Sequence, residues 1–236
     1  MNAKLLAVAN SDRSNGYEEV ALAFIAGRGL NSSGVGATIV ADWSQTLPSG
    51  ATVLDLGCGT GIPISKVLIE RGFNVYGVDA SPTMVAAFRA HFPSAPLECA
   101  AVEDSDFFGI TFDGVVAWGL FFLLDAAVQR RLIRKIGDAL RPGGKLLFTA
   151  PSQSCSWRDA MTGRTSYSLG HEAYREVLEA EGMTIVGMDD DEGENHYYFA
   201  QKAYVTAAQP IFAPCQGGIQ ARHTNLANWN NSAPLN

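Results

Sequence analysis

Short apolar runs alternate with longer amphipathic runs through the middle of the chain. The apolar runs, which predict buried parallel strands, are residues 53–56, 73–79, 97–102, 112–119 and 145–150. Apolar residues recur at helical spacing between these runs, and this spacing predicts helices over 64–71, 83–91 and 126–140. Strands that alternate with helices in this way are typical of an α/β fold with a parallel sheet.

The two ends of the chain have different patterns. Before the first strand, apolar spacing predicts helices over 17–26 and 36–45. After residue 150, the pattern predicts a long irregular loop over 151–170, a helix over 172–181 and a hairpin of strands 183–189 and 196–203. From about residue 205 onward the periodicity is weak, which predicts a flexible tail or a packing arm.

Three glycines follow the first predicted strand at alternating positions, in the run DLGCGTG at 55–61. Glycine lets the backbone turn sharply and approach a ligand, and the free N–H groups of the next helix point at the same spot. Strand, glycine turn and helix together predict a nucleotide-type site at the carboxyl edge of a sheet. A dinucleotide fingerprint would need its third glycine at Ile62, and the Gly-Lys-Ser/Thr ending of a phosphate loop does not follow these glycines. Asp55 instead suits a ligand with a positive amino group.

The run at 55–61 resembles motif I of the class I S-adenosylmethionine-dependent methyltransferases. The run LRPGGK at 140–145 resembles a further signature of that family, and the features between Val53 and Pro151 fall where the family has them. The resemblance implies a Rossmann-like, doubly wound sheet of seven strands with an antiparallel last strand and an N-terminal helical lid. It divides the chain into a lid at 1–46, a cofactor-binding core at 47–203 and a flexible or packing tail at 204–236.

The resemblance also implies S-adenosyl-L-methionine as cofactor and S-adenosyl-L-homocysteine as product. Asp79, at the end of the second predicted strand, would accept hydrogen bonds from the ribose diol; the alternative is that it only caps the next helix. Val102 would pack against the adenine. Because Ala101 is apolar, Glu103, Asp104 or a backbone group would have to bind the adenine amino group. The residues predicted to bind the cofactor are Asp55, Gly57, Gly59, Gly61, Asp79, Ala80, Val102, Glu103, Ala117 and Trp118.

The end of the fourth predicted strand is expected to meet the methionine part of the cofactor. By the same resemblance, the backbone at Ala117 meets the amino group and Trp118 lies beside the sulfonium, where a cation over an indole face is favourable by roughly 0.5–2 kcal/mol. The alternative is that Trp118, Phe121 and Phe122 are simply core, and of the three we assign Phe122 to the core. The polar Asn/Asp-Pro-Pro-aromatic motif of amino-directed DNA methyltransferases does not occur at this position, which disfavours that class.

The acceptor is expected to contact aromatic and loop residues near the methionine end. These candidates, for which ordinary packing or a surface loop is the alternative, are Tyr17, Phe121, Trp157, Arg158, Met161 and Tyr197. His196 is the candidate general base because its unperturbed pKa is near neutral and because an antiparallel last strand starts at the carboxyl edge. The alternative is a turn histidine that bonds only its neighbours. A base is needed only if the acceptor carries a proton at neutral pH.

Composition limits the choice of partners. The formal net charge is −7, which argues against a nucleic acid or an anionic membrane surface as main partner, and the sequence has no apolar run long enough to cross a bilayer. The four cysteines lack metal-ligand spacing, so we expect no metal and a cytoplasmic location. We expect a methyltransferase with a small organic acceptor (O, N or S) that works as a monomer or homodimer. The alternatives are a non-catalytic cofactor-binding protein of the same fold and a methyltransferase that acts on a macromolecule.

Overall fold

The structure is a computed structural model that describes residues 13–27 and 34–204. The predicted tail lies outside the described residues except for Tyr204. Residues 1–12 and 28–33 of the predicted lid also lie outside them.

Six α-helices and nine strands lie in the described part of the chain. The helices are α1 (Tyr17–Gly27), α2 (Ala37–Ser44), α3 (Ile64–Glu70), α4 (Pro82–His91), α5 (Ala126–Ala139) and α6 (His171–Ala180). The strands are β1 (Thr52–Leu56), β2 (Asn74–Asp79), β3 (Leu97–Cys99), β4 (Phe112–Ala117), β5 (Leu140–Thr149), β6 (Cys155–Arg158), β7 (Thr165–Ser168), β8 (Met183–Asp190) and β9 (His196–Lys202). None of these helices is long and apolar enough to cross a membrane.

Seven strands form one sheet in the order β3-β2-β1-β4-β5-β9-β8. The first five pair in parallel, whereas β9 is antiparallel to both of its neighbours. This order confirms the predicted Rossmann-like sheet of seven strands with an antiparallel last strand. Because β9 runs against β1 to β5, its beginning lies at the edge where those strands end, and that edge carries the candidate site.

Alternate residues of the central strands face two separate cores, because successive side chains of a strand point to opposite faces. On one face, Leu54 packs in a cluster with Leu132 of α5. On the other face, Val53 packs in a cluster with Val40 of α2 and Leu68 of α3. All five side chains are buried, and burying an aliphatic side chain contributes about 1.5–3 kcal/mol. Helices therefore cover both faces, which explains the near-continuous apolar character of the strands.

Residues 151–170 do not form the irregular loop that the sequence predicted. They contain an antiparallel hairpin of β6 and β7. Asp159 closes its turn, because its side chain accepts hydrogen bonds from the backbone N–H groups of Met161 at 3.0 Å and Thr162 at 2.7 Å. The buried side chains of the two strands are both serines, so the hairpin lacks the apolar alternation that would have predicted it.

Other predicted boundaries differ from the structure by a few residues. β3 ends at Cys99 and β4 at Ala117, earlier than predicted, so the segments that follow them are free to line the sheet edge. β5 begins at Leu140, directly after α5.

Candidate active site

A cleft opens at the carboxyl edge of the sheet. The segments that follow β1, β2, β3 and β4 line it, together with residues 13–17, Phe24 of α1 and Asn195, which precedes β9. The predicted site residues that line the cleft are Tyr17, Asp55, Gly57, Gly59, Asp79, Ala80, Val102, Glu103 and Trp118. The predicted site residues that do not line it are Gly61, Ala117, Phe121, Trp157, Arg158, Met161, His196 and Tyr197.

The glycine loop follows β1 and is hydrogen-bonded to the end of β2. The backbone N–H of Gly57 donates to the carbonyl of Val78 at 2.8 Å, and the N–H of Gly59 donates to the carboxylate of Asp79 at 2.9 Å. Gly59 has a φ of +54° and open space where a Cβ would stand, so the backbone itself forms the wall. Gly61 is a glycine for another reason: a Cβ there would lie 2.6 Å from the ring of Phe92.

Asp55 is a buried carboxyl at the end of β1. Its Oδ2 accepts a hydrogen bond from the hydroxyl of Ser65 at 2.6 Å, and its side chain is part of the cleft lining. Burial raises the pKa of this carboxyl to about 7, with a smaller upward contribution from Asp79 and a downward one from Ser65. No Lys, Arg or His within residues 13–27 and 34–204 forms an ion pair with Asp55, so a ligand cation would supply the missing countercharge.

Asp79 is the last residue of β2, the strand that pairs with β1. Its two oxygens accept hydrogen bonds from the N–H groups of Gly59 at 2.9 Å and Ser81 at 2.8 Å, and burial raises its pKa. The N-cap of α4 is Ser81, whose hydroxyl accepts from the N–H of Met84. The helix is therefore capped by its own serine, and the remaining lone pairs of Asp79 are available to a ligand hydroxyl.

A lysine of α5 holds the loop after β3 in place. Lys135 of α5 donates to the carbonyls of Val102 at 3.0 Å, Glu103 at 3.2 Å and Ser105. Its ammonium also lies 4.4 Å from the ring centre of Phe107, and burial lowers its pKa. Its cation therefore orders the wall on which an adenine is expected to pack. The sequence signal was the same as for any exposed basic helix face.

Residues 13–17 close the cleft on the side of this loop. Arg13 forms an ion pair with Glu103 at 2.7 Å and with Asp104 at 3.2 Å. Asn15 has a φ of +54°, and its Nδ2 atom is buried with no hydrogen-bond partner among the described residues. Glu103 thus shares its charge with an arginine, and Asn15 offers a donor to whatever fills the cleft.

Glu18 attaches α1 to the start of α4. Its carboxylate accepts hydrogen bonds from the hydroxyl of Ser81, and from the N–H and hydroxyl of Thr83 at 3.1 Å and 2.7 Å. The hydroxyl of Tyr17 donates to Asp159 of the β6–β7 turn at 3.5 Å. The start of α1 therefore bridges α4 and the hairpin. The sequence pattern does not single out Glu18, because its partners are more than 60 residues away and an acidic first turn is common in helices.

At the aromatic end of the cleft, the structure places Phe121 and Phe122 differently from the sequence prediction. Phe122 lines the cleft, whereas Phe121 is fully buried with its ring centre 4.5 Å from that of Phe148. The short 3₁₀ turn Phe121–Leu123 points the two rings in different directions. Trp157 packs behind Phe122 at 5.6 Å between ring centres. The assignments of Phe121 to the acceptor and of Phe122 to the core are thus corrected.

The remaining candidates lie away from the cleft lining. Arg158 donates to the carbonyl of Gly163 in its own hairpin, and Met161 is exposed at the same turn. Ala117 and Tyr197 are fully buried.

His196 has a partner on its own hairpin. Its Nδ1 lies 2.8 Å from the carboxylate of Asp190, and its ring packs edge-on against Tyr198 with 4.9 Å between ring centres. His196 does not line the cleft, so its position does not support the predicted role as general base.

Residues 53–144 match the family model described as "Methyltransferase domain". The chain is 36% identical over 106 residues to an uncharacterized methyltransferase of Mycobacterium tuberculosis, a match that covers 44% of this chain and 41% of that protein. It is 37% identical over 145 residues to the cypemycin N-terminal methyltransferase of a Streptomyces species, which covers 58% of both chains. The chain thus spans about half the length of these curated relatives.

Solved structures share the fold at low sequence identity. The CcbJ methyltransferase of Streptomyces caelestis superimposes with a TM-score of 0.63 at 15% identity, over 81% of this chain and 98% of that one. The [4+2]-cyclase SpnF superimposes with a TM-score of 0.62 at 17% identity, over 82% of this chain and 96% of that one. The architecture is therefore that of the methyltransferase fold, and by its printed name one neighbour with this architecture is a cyclase.

Replacing Lys135 by Met should raise the dissociation constant for S-adenosylhomocysteine about tenfold. The loop at 102–105 loses three hydrogen bonds to a cation, each worth about 1.5–3 kcal/mol, and water recovers part of that energy. Arg134→Met is the matched control, because Arg134 pairs with Glu181 at the surface. Calorimetric titration measures both, and equal affinities in the two variants would contradict the role of Lys135.

Replacing Asp55 by Asn should stabilise the ligand-free protein and weaken cofactor binding. With a pKa of about 7 in the folded state and the ordinary value of 3.8 when unfolded, this carboxyl binds more protons in the folded protein between those pH values. Its contribution to stability therefore falls as pH rises from about 4 to about 7 and is least favourable above pH 7. The melting temperature of D55N should exceed that of the wild type at pH 8, by about 2–4 °C per kcal/mol, and the gain should shrink at pH 5.

Asp113→Asn is the control for D55N and has the opposite expected sign. Asp113 accepts hydrogen bonds from Arg141 at 2.6 Å and from the N–H of Thr52 at 2.8 Å, and these partners lower its pKa. D113N should therefore melt lower than the wild type at pH 8 and bind S-adenosylhomocysteine normally, whereas D55N should bind it at least tenfold more weakly. Destabilisation by D55N at pH 8 would contradict this account of Asp55.

Proposed function

We propose that this chain, which contains a class I S-adenosylmethionine-dependent methyltransferase domain over residues 53–144, transfers a methyl group from S-adenosyl-L-methionine to a small organic acceptor. The observation that carries the proposal is the pair Asp55 and Asp79. Asp55 is buried and Asp79 is partly buried, both stand near the ends of adjacent parallel strands, and both line one cleft.

The charges of the cleft complement those of the cofactor. S-adenosylmethionine carries an ammonium group, which Asp55 would pair with, and a ribose diol, which Asp79 would bind through its free lone pairs. Val102 and the loop held by Lys135 would support the adenine. An anionic pyrophosphate would instead meet the carboxylates of Asp55 and Asp79, which argues against a dinucleotide.

The acceptor would occupy the aromatic end of the cleft. Apolar and aromatic side chains line this end, namely Tyr17, Phe24, Trp118, Leu120, Phe122, Leu123 and Leu124. These residues suit a small, largely apolar molecule rather than a polyanion. An amine is the first class to test, because the relative matched over 145 residues is by its printed name an N-terminal methyltransferase.

Methyl transfer from S-adenosylmethionine requires no covalent bond to the protein. A lone pair of the acceptor attacks the methyl carbon, the carbon–sulfur bond breaks, and its electron pair stays on sulfur, which becomes a neutral thioether. Any proton on the acceptor leaves to solvent or to a nearby base. The walls therefore contribute mainly by aligning acceptor and methyl group and by excluding water.

Titration with S-adenosylhomocysteine tests the cofactor, with NAD as the comparison ligand. The wild type should bind S-adenosylhomocysteine at micromolar concentration and NAD weakly or not at all. Asp79→Ala should weaken binding at least 100-fold, because hydrogen bonds from a ribose diol to a carboxylate are worth about 1.5–3 kcal/mol each. Asp42→Ala, at an exposed residue of α2, is the control. A folded wild type that does not bind S-adenosylhomocysteine would refute the proposal.

Transfer of radiolabelled methyl groups to panels of amines, thiols and phenols then tests catalysis. Label in at least one small acceptor is the expected result, and label only in protein or RNA extracts would indicate a macromolecular acceptor. Tight cofactor binding without transfer to any panel or extract would favour the non-catalytic alternative.

His196→Ala should keep turnover within about threefold of the wild type. The imidazole contacts Asp190 and Tyr198 and does not line the cleft, so its loss removes no group from the acceptor. Initial rates with the best acceptor of the panel measure this. A loss of 100-fold or more at unchanged cofactor affinity would restore the base role.

A further inference from the structure

Asp191, in the turn between β8 and β9, is the centre of a dense hydrogen-bond network. Its carboxylate accepts from the N–H of Gly193 at 2.8 Å, the N–H of Asn195 at 3.0 Å and the hydroxyl of Tyr197 at 2.5 Å. The side-chain amide of Asn195 also donates to both of its oxygens at 3.0 Å. These bonds outweigh its desolvation and lower the pKa of Asp191, so it stays charged at neutral pH.

The hydroxyl of Tyr197 links Asp191 to Trp118 through two hydrogen bonds. The indole Nε1–H of Trp118 donates to the Tyr197 oxygen at 2.7 Å. A tyrosine hydroxyl has one proton, and here it goes to Asp191. Burial and the neighbouring carboxylate raise the pKa of Tyr197, so the proton stays in place. The direction of the chain is therefore fixed: Trp118 donates to Tyr197, and Tyr197 donates to Asp191.

The two ends of the network line the cleft, and its middle does not. Trp118 and Asn195 are part of the cleft lining, whereas Asp191 and Tyr197 are not. One carboxylate thus fixes two wall residues that are 77 positions apart in sequence.

The segment that leads into α2 packs over the network. At Gly36, which has a φ of +90°, a Cβ would lie 2.6 Å from Nε1 of Trp118 and 3.0 Å from the hydroxyl oxygen of Tyr197. At Gly193, a Cβ would lie 2.8 Å from the side chain of Val35. Tyr197 is 0% exposed, so its hydrogen bonds do not compete with water.

We propose that Asp191, acting through Tyr197, is the positioning residue that holds the indole of Trp118 against the sulfonium of the bound cofactor, and that it fixes Asn195 in the same wall. The inference rests on the proposed function, because it needs S-adenosylmethionine in the cleft. With its N–H engaged by Tyr197, the indole can present its ring face to the cleft. A ring face attracts a cation, and the attraction strengthens when the ring cannot turn away.

A comparison of two ligands isolates this contact. S-adenosylmethionine carries a positive sulfonium, and S-adenosylhomocysteine carries a neutral thioether at the same place. The ratio of their dissociation constants therefore reports the interaction of the wall with the sulfonium charge. Tyr197→Phe removes one hydroxyl and keeps the ring, so it should lower the preference for S-adenosylmethionine about threefold to tenfold and change S-adenosylhomocysteine binding less than twofold.

Tyr198→Phe is the matched control. Tyr198 is the next residue of the same strand, is equally buried and faces the other core, and its hydroxyl has no hydrogen-bond partner among the described residues. It should leave the ratio unchanged. Trp118→Phe should lower the ratio at least as much as Tyr197→Phe, and the double variant should equal Trp118→Phe, because Tyr197 acts only through Trp118.

The indole N–H resonance of Trp118 in ligand-free protein provides a test without the cofactor. It is assigned by its loss in Trp118→Phe among the four tryptophans. It should shift and exchange faster with water in Tyr197→Phe and in Asp191→Asn, and it should stay in place in Tyr198→Phe.

The outcomes separate the inference from the function on which it rests. Wild-type protein that binds neither ligand refutes the proposed function and, with it, the inference. Wild-type binding with an unchanged ratio in Tyr197→Phe, or additive effects of Tyr197→Phe and Trp118→Phe, overturns the inference alone. An unmoved indole resonance in Tyr197→Phe overturns it as well.

Discussion

Two carboxyls, the buried Asp55 and the partly buried Asp79, stand near the ends of adjacent strands, and no cation among the described residues forms an ion pair with either of them. Removing a carboxylate from water is costly, and in the ligand-free protein the cost appears as raised pKa values. The fold brings both groups to one edge of the sheet because β1 and β2 are parallel neighbours whose ends share that edge. A ligand with an ammonium group and a diol would offset this desolvation free energy by pairing with the two carboxyls. The unfavourable free energy present in the ligand-free protein would then favour ligand binding.

The rest of the cleft is organised around this pair. The backbone N–H of Gly59 in the glycine loop donates to Asp79, and Glu18 of α1 accepts from the hydroxyl of Thr83. Lys135 orders the loop after β3 by donating to the carbonyl of Val102. The opposite wall has its own anchor in the turn before β9. Proteins with this architecture include, by their printed names, methyltransferases and a cyclase. The reaction must therefore be decided by the residues that line the cleft beyond the shared sheet, and in this chain these include residues of α1, the segment after β4 and the turn before β9.

The sequence predicted best what depends on local pattern. Continuous apolar residues mark the buried strands in the sequence. The run at 55–61 and Asp79 stand out by their spacing, because these features need particular residues at particular positions. The sequence failed where the outcome depends on distant partners. The β6–β7 hairpin buries serines, so no apolar alternation marks it. A one-residue difference in a short turn decides that Phe122 and not Phe121 reaches the cleft. Lys135 and Glu18 look like ordinary surface charges until the fold brings carbonyls and hydroxyls to them.

A crystal structure of the protein with S-adenosylhomocysteine bound would locate the cofactor site. We expect the ribose hydroxyls within hydrogen-bond distance of Asp79 and the amino group on the side of Asp55. We also expect the adenine against Val102 and the sulfur beside the indole of Trp118. A ligand bound elsewhere, or bound in this cleft with its ribose away from Asp79 and its amino group away from Asp55, would contradict the claim that these two carboxyls form the cofactor site.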